Sequence, residues 1–255
     1  MQTKEIVNDL NKLLNIYDYK DYCPNGLQIE GKKEITKIAF AVSATKYSVE
    51  KTVELGADML IVHHGLFWKF HGPKTLTGSF YKRVAPLLRN DINLVGYHLP
   101  LDAHLEVGNA KGIADRVGLS DLKEFGDYKG MPTGVRGKLK TPIGASELKL
   151  QLKDILDHEI IHSAPDNKVI KSIGIITGGA NSDWRECLKY NLDAYITGEI
   201  SEHDWHEAQE EDIHFFAGGH NATEQFGVQN LMKYLYDKYS DANLELFYIP
   251  SENPA

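Results

Sequence analysis

The sequence predicts an α/β protein made of two interacting α/β domains. Three observations lead to this fold class. Short apolar segments rich in β-branched residues alternate with amphipathic segments. A Gly-, Lys- and Asp-rich stretch at 123–134 interrupts this alternation near the middle of the chain. The 255 residues, 42% hydrophobic and 25% charged, are also enough to form two separate cores of ordinary globular composition.

The first half begins with an amphipathic segment at 1–17 that predicts a helix, and a loop with Pro24 and Gly26 follows. Beyond this loop, buried strands alternate with helices, a pattern that favours a largely parallel sheet. The predicted strands are 35–44, 57–64 and 92–102, and the predicted helices are 45–56, 79–90 and 109–119.

The second half repeats the alternation after the boundary stretch. Its predicted strands are 135–139, 169–180 and 193–200, and its predicted helices are 146–156, 182–191 and 202–211. Three further elements follow at 213–220, 223–239 and 244–250. The pattern alone leaves open whether these three close the first sheet or extend the second.

The net charge of -8 argues against a generic electrostatic grip on nucleic acid or on an anionic membrane. Cys23 and Cys187 lie far apart and fit no zinc or redox spacing, so we expect reduced thiols. No stretch reaches the roughly 20 apolar residues of a membrane span, and acids and amides interrupt the N-terminal segment. These features predict a cytoplasmic protein.

Metal-binding residue types follow three of the predicted strands. The carboxyl ends of parallel strands share one edge of a sheet, where ligand sites form. Imidazole and carboxylate groups suit iron, zinc, manganese or nickel, and a bridging carboxylate holds two cations roughly 3.5 to 4 Å apart. Glu224 is the natural bridge. The candidate ligands are His63, His64, His98, Asp102, His220 and Glu224.

Each candidate has a structural alternative. Adjacent histidines on a strand point to opposite faces, so one of His63 and His64 could be a core residue unless the strand ends before Gly65. Asn221 and Glu224 also match a capping box, which would have only structural meaning. Taken together, the residues favour a metal site over these separate explanations.

Three histidines are candidate proton carriers. His98 precedes Asp102 by four residues and could orient a ligand or move a proton. His203 and His206 lie three residues apart on a predicted helix and therefore share one side of it, where they could face the same cavity as Glu199. The alternative for His203 and His206 is a solvated polar helix face.

Five motifs in order along nearly the whole chain resemble the Nif-three-like family, whose members carry the label GTP cyclohydrolase type 2 homologue. They are PNGLQI, IVHHGLFW, GYHLPLDAH, TGEISEHDWHEA and GGHNATE. The resemblance implies two divalent metal ions per chain, held by His63, His64, Asp102, His220 and Glu224. It also implies a metal-binding domain of residues 1–125 with 221–255, a second domain of 126–220, and a ring-shaped homohexamer.

The family label implies hydrolytic opening of the purine ring of GTP. The leading hypothesis is therefore a metal-dependent hydrolase of GTP, a related nucleotide or another small molecule, with His98, His203 or His206 moving protons. The second hypothesis is a non-catalytic metal-binding or scaffold ring. A closed coordination shell would favour the second hypothesis, whereas an open position beside a pocket would favour the enzyme.

Overall fold

A computed structural model describes residues 1–163 and 168–255 of the chain. It separates into two compact units, each with its own sheet and helices. Unit 1 comprises Met1–Leu101 with Val228–Ser251, and unit 2 comprises Asp102–Gly227 with Glu252–Ala255. The predicted α/β class is confirmed.

Unit 1 contains a five-stranded sheet in the order β1-β4-β3-β2-β11. The strands β4, β3, β2 and β11 are mutually parallel, and β1 runs antiparallel to β4. The C-terminal strand therefore completes the first sheet. The strands are β1 (Gly26–Ile29), β2 (Lys37–Ser43), β3 (Met59–His64), β4 (Asn93–Gly96) and β11 (Glu245–Tyr248). The helices are α1 (Thr3–Leu13), α2 (Lys46–Glu54) and α3 (Gly78–Arg89).

The core of unit 1 lies on its parallel strands. β3 is buried along nearly all its length, as the continuous apolar run in its sequence predicts for a central parallel strand. Leu60, Val62 and Leu94 pack with Val49 of α2 and Leu87 of α3. This packing holds β3 and β4 in place, and the histidines described below end β3 or follow β4.

Unit 2 contains a six-stranded mixed sheet in the order β5-β6-β8-β9-β10-β7. Only its centre, β8-β9-β10, is parallel. The strands are β5 (Leu119–Phe125), β6 (Gly134–Ile143), β7 (Ile161–Ser163), β8 (Ile170–Ile175), β9 (Ala194–Thr197) and β10 (His214–Ala217). The helices are α4 (Leu99–Ala103), which begins in unit 1, α5 (Asn109–Val117), α6 (Ala145–Leu156), α7 (Glu186–Tyr190), α8 (Glu202–Glu210), α9 (His220–Thr223) and α10 (Gln225–Lys238), which continues into unit 1.

Two clusters of buried side chains form the core of unit 2. In the first, Ile173 packs with Ile113 of α5 and with Leu148 of α6. In the second, Trp184 and Phe215 lie among side chains that include Ala208 of α8. Helices α5, α6 and α8 therefore pack on the sheet and hold the strands β8, β9 and β10 in place.

Several sequence expectations need correction. The predicted loop at 21–29 contains β1, and the predicted domain boundary at 125/126 is the end of β5, which pairs with β6. The compact units accordingly divide at 101/102 and 227/228 and not at 125/126 and 220/221. Polar, exposed strands such as β5 lack the apolar run from which a buried strand is recognised.

Two predicted elements break at candidate ligands. The predicted strand 92–102 ends at Gly96, and Asp102 lies on the short helix α4. The predicted helix 223–239 is two helices, α9 and α10, separated by Glu224. Of the helices in 1–163 and 168–255, none has both the length and the apolar character that crossing a membrane requires.

Candidate metal centre

His63 and His64 form the carboxyl end of β3 in unit 1. His63 is fully buried, and its Nδ1 donates to the carbonyl oxygen of Tyr97 at 2.9 Å. Because a carbonyl can only accept, this bond fixes Nδ1 as the protonated nitrogen and leaves Nε2 as the nitrogen able to ligate a metal. Nδ1 of His64 lies 3.0 Å from Oγ of Ser43.

The end of β3 at His64 resolves the question raised by two adjacent histidines. The rings of His63 and His64 lie with their centroids 4.5 Å apart, and the ring of His98 lies 5.1 Å from that of His63. Each ring offers a nitrogen within 4.8 Å of the others. We call these three residues the histidine cluster.

His98 is held by a loop that the sequence did not single out as functional. Its Nδ1 lies 3.0 Å from Oδ1 of Asp21, and its backbone N–H donates to Oδ1 of Asn25 at 2.7 Å. Burial raises the pKa of Asp21, but the hydrogen bond and charge of His98 outweigh it, and the pKa is lowered to about 2. Asp21 is therefore an ionised partner that orients the His98 ring, an arrangement common behind metal-binding and proton-transferring histidines.

Gln28 of the PNGLQI motif ties this loop to the strand ends. Its Nε2 donates to the carbonyl oxygen of Pro24 at 2.8 Å, and its Oε1 accepts from the backbone N–H of Leu66 at 3.0 Å. A Cβ atom at Gly65 would lie 2.3 Å from the Gln28 amide, and one at Gly96 would lie 2.6 Å from it. Both glycines therefore leave the space that the Gln28 amide occupies.

Three aromatic side chains, Tyr22, Trp68 and Phe70, form what we call the aromatic shelf. Trp68 stacks on Phe70 with centroids 5.4 Å apart, and the ring of Tyr22 lies 6.1 Å from both. Trp68 also meets His98 edge to face at 5.1 Å. Phe70 is 66% exposed, so the shelf presents aromatic surface to solvent directly beside the histidine cluster.

In unit 2, Asp102 is buried on α4. Its Oδ1 accepts from Nδ2 of Asn109 and from Oγ1 of Thr177, both at 2.9 Å. Thr177 follows β8 in the segment before Gly178, so the carboxylate is anchored to the carboxyl end of the sheet although it does not lie on a strand. A carboxylate oxygen of Asp102 lies within 4.8 Å of one of Glu224.

His220 and Glu224 lie one helical turn apart, four residues along the chain. Nε2 of His220 is 3.2 Å from Oε2 of Glu224, whose side chain is almost completely buried. Helix α9 begins at His220 with Gly219 as its N-cap and has no side-chain cap. The backbone N–H of Asn221 donates instead to the carbonyl oxygen of Ala255. The capping-box alternative for Glu224 is therefore wrong.

Two carboxylates act on His220. Burial lowers its pKa, but the hydrogen bonds and charges of Glu224 and Glu199 outweigh this and raise the pKa to about 9. Nδ1 of His220 lies 2.6 Å from Oε1 of Glu199. Glu199 therefore orients the ring through Nδ1 and leaves Nε2 toward Glu224, the same pattern that Asp21 imposes on His98.

Gly178 provides the space in which this group fits. A Cβ atom there would lie 2.1 Å from Oε1 of Glu224 and 3.0 Å from Nε2 of His220. Its backbone φ of +70° is also one that residues other than glycine rarely adopt. We call Asp102, His220 and Glu224 the carboxylate cluster. The ITGG sequence at 176–179 thus shapes this cluster.

The remaining predicted proton carriers, His203 and His206, occupy a different environment. Both lie on α8 with side chains 58% exposed, 3.5 Å from Asp204 and Glu202 respectively. Between them, Asp204 is fully buried and accepts from Nε1 of Trp184 at 2.9 Å. In this part of the TGEISEHDWHEA motif, the two histidines are thus exposed, and the buried aspartate anchors α8 through its hydrogen bond with Trp184.

The donor sets fit divalent metals. His63, His98 and His220 each have Nδ1 directed to an oxygen, from a carbonyl or a carboxylate, so each offers Nε2 as a ligand. The imidazole nitrogens of unit 1 are donors that zinc, iron, manganese or nickel accepts, and so, separately, are the two carboxylates and one imidazole of unit 2. Sequence reasoning singled out the candidate ligands but missed Asp21, Asn109, Thr177 and Gly178, which only the fold brings beside them.

Comparison with known proteins gives full-length matches. Residues 1–254 match the family described as Duf34/NIF3 (NGG1p interacting factor 3). A protein of Pasteurella multocida (strain Pm70), named GTP cyclohydrolase 1 type 2 homolog, is 40% identical over 256 residues, with 100% of both chains covered. A protein of the same name from Escherichia coli (strain K12) is 37% identical over 256 residues, again with 100% of both chains covered. A solved structure described as protein ybgI of unknown function superposes with a TM-score of 0.92 at 36% identity and 100% coverage of both chains.

Proposed function

The chain belongs to the Duf34/NIF3 family, and from this premise we propose that it is a divalent-metal-dependent hydrolase whose substrate contains a planar ring, GTP or a related nucleotide being the first candidate. The proposed metal ligands are His63, His64, Asp102, His220 and Glu224. The relatives named GTP cyclohydrolase 1 type 2 homolog motivate the choice of substrate. The homohexameric ring stays a prediction, which a sedimentation mass would check.

One observation carries the metal assignment. Two proposed ligand histidines, His63 and His220, each have Nδ1 held by an oxygen acceptor, and the proposed proton carrier His98 has the same arrangement. A histidine that serves only packing needs no such common orientation, whereas a ligand histidine needs its ring fixed so that Nε2 is directed at the metal. The three orienting groups, a backbone carbonyl and two carboxylates, come from separate parts of the chain.

The protein's own residues then have distinct tasks. Bound divalent ions would lower the pKa of water toward neutrality and would polarise the bond to be hydrolysed. His98, backed by the ionised Asp21, would hold or deliver a proton at Nε2. The exposed face of the aromatic shelf would take the planar ring of the substrate beside His98. Burial excludes water from the Asp102 and Glu224 carboxylates and would strengthen their electrostatic attraction for bound cations.

The test is a turnover screen of GTP and other nucleotides, with manganese, zinc or iron added, that measures formate release and ring opening. The two proposals for the proton carrier are compared through His98→Gln and the double variant His203→Ala/His206→Ala. We expect a loss of kcat on the order of 100-fold or more for His98→Gln. A small change there with a large loss in the double variant would move the proton-transfer role to α8. Metal binding with no turnover of any nucleotide would support the non-catalytic metal-binding ring.

A further inference from the structure

Unit 2 contains an open cavity of about 590 Å³ that none of the residues considered so far lines. It lies against β5, β6 and β8, with the C-terminal end of α7 on one side. Its polar lining comes mainly from five residues with basic, hydroxyl or amide groups and one carboxylate. These are Lys123, Arg136, Lys138, Ser172, Asn191 and Asp121.

The strand register gathers the basic residues on one face. Lys123 pairs with Arg136 across β5 and β6, and Lys138 pairs with Ser172 across β6 and β8. Arg136 and Lys138 are two residues apart on β6, so both point to the same side of the sheet, roughly 7 Å apart along the strand. Neighbouring strands lie about 5 Å apart, so three long cationic side chains can converge on one small ligand.

Arg136 is positioned within this cavity. Its guanidinium lies 4.1 Å from the centre of the Tyr190 ring, a cation-π contact that restricts its orientation. Its Nε atom is buried and has no hydrogen-bond partner among the described residues. A ligand in the cavity would therefore meet the guanidinium at its other two nitrogens.

The charge of the cavity differs from that of the whole chain. Across residues 1–163 and 168–255, Lys123, Arg136 and Lys138 form no ion pair, and Asp121 is the carboxylate in the lining. The nearby carboxylate of Asp193 is already occupied by the backbone N–H groups of Lys171 and Ser172 and by the Ser172 hydroxyl. Three positive charges and one negative charge thus face the cavity of a protein whose net charge is -8.

We propose that this cavity binds a small molecule carrying two or more linked phosphate groups. The planar fork of Arg136 suits the oxygens of one phosphate, and Lys123 and Lys138 supply point charges for the next. A volume of about 590 Å³ is within the usual range of ligand sites, roughly 300 to 1,000 Å³. The phosphates can belong to an inorganic oligophosphate or to the tail of a nucleotide, and both present the same chemistry to the basic groups.

The site is separate from the carboxylate cluster. Ser172 lies near the start of β8. Gly178, six residues after Ser172, lies beyond the carboxyl end of that strand. The strand between Ser172 and Ile175 alone spans about 10 Å. Binding in the cavity therefore needs none of the proposed metal ligands, and the proposal does not depend on the proposed hydrolase activity.

The test measures binding of inorganic triphosphate and of GTP to the full-length protein by titration calorimetry, with all divalent metal removed by chelation. Arg136→Gln and Lys138→Gln each remove one positive charge from the lining. Lys140→Gln removes the same charge from an exposed position on β6 outside the lining and is the matched control. Thermal unfolding of each variant shows whether it is folded.

We expect each lining variant to weaken triphosphate binding by tenfold or more and the control to change it by less than twofold, with affinity falling as salt rises. Equal affinity for triphosphate and GTP would identify the phosphates as the recognised group, and tighter GTP binding would add the nucleoside. No binding to the wild-type protein at millimolar triphosphate would overturn the proposal. So would equal loss in Lys138→Gln and Lys140→Gln, or a preference for single-stranded RNA over both small ligands.

Discussion

Replacement of Gly178 by alanine is the sharpest perturbation of the carboxylate cluster. The new Cβ atom would lie 2.1 Å from Oε1 of Glu224 and 3.0 Å from Nε2 of His220. Because Glu224 is buried, its carboxylate cannot move into solvent to relieve this overlap. We expect the carboxylate to rotate away from the position in which it ligates, and metal affinity to fall on the order of 10- to 100-fold, as for other changes next to a ligand.

The backbone contributes a second effect that a control can isolate. The φ of +70° at Gly178 costs an alanine about 1 to 2 kcal/mol. Gly118, at the end of α5, has a φ of +79° and no atom within 4 Å of its virtual Cβ. Gly118→Ala should therefore show the backbone cost without any collision, as a fall in Tm of roughly 2 to 4 °C per kcal/mol.

The assay combines thermal unfolding in chelator with a competition titration of zinc or manganese. Both variants should show a similar fall in Tm from the backbone cost, and Gly178→Ala can show a further fall from its collision with Glu224. Only Gly178→Ala should lose metal affinity. Equal metal affinity in the two variants would show that the overlap with Glu224 does not matter for metal binding. That result would refute the reasoning that Gly178 shapes a ligand site.

Three further predictions concern the groups around the clusters. In the metal-free protein the lowered pKa of Asp21 contributes stability above its ordinary pKa of 3.8 that is lost as pH falls toward 2, so Asp21→Asn should flatten the stability profile between pH 4 and 2 in acid unfolding. The raised pKa of His220 contributes stability below 6.5 that is lost as pH rises through about 9, and Glu199→Gln should move that loss to lower pH, as followed by NMR titration of the ring. Asp204→Asn should destabilise the protein by about 1 to 3 kcal/mol in denaturant unfolding, because Trp184 and Arg185 donate to its buried carboxylate, whereas exposed His203→Ala should change stability by less than about 0.5 kcal/mol.

The parallel core of unit 1 was predictable because its strands are continuous apolar runs. β2 and β3 appear within the predicted ranges 35–44 and 57–64, and the pairing of β11 with β2 confirms that the C-terminal segment completes the first sheet. The sequence pattern alone had left that pairing open. A strand at the edge of a sheet carries no local signal that identifies its partner, so the family resemblance was needed to assign it.

The strands that were missed share a physical cause. β1 lies next to Pro24 in a turn-rich segment, and β5 is polar and largely exposed. Neither shows the burial pattern that reveals a central strand. β1 is stabilised by pairing with the distant strand β4, so its placement depends on contacts that the local sequence does not contain. β5 pairs with the next strand along the chain, β6, and was missed because it lacks an apolar run.

The candidate ligands were recognisable from residue type and position, but the groups that orient them were not. Asp21 acts on His98 across 77 positions, and Thr177 reaches Asp102 across 75. Such partners share no spacing with the ligand they hold. In contrast, Glu199 lay in a quoted motif, and its contact with His220 was within reach of sequence reasoning.

The most direct test of the central claim is elemental analysis of the purified protein beside His63→Ala and Glu224→Ala, one ligand variant from each unit. The proposed dinuclear centre predicts about two divalent ions per wild-type chain and a loss of metal in both variants, with His71→Ala retaining the full amount as an exposed histidine control. Negligible metal in the wild-type protein, reconstituted with iron, zinc, manganese or nickel, would contradict the claim. So would full metal content in both ligand variants.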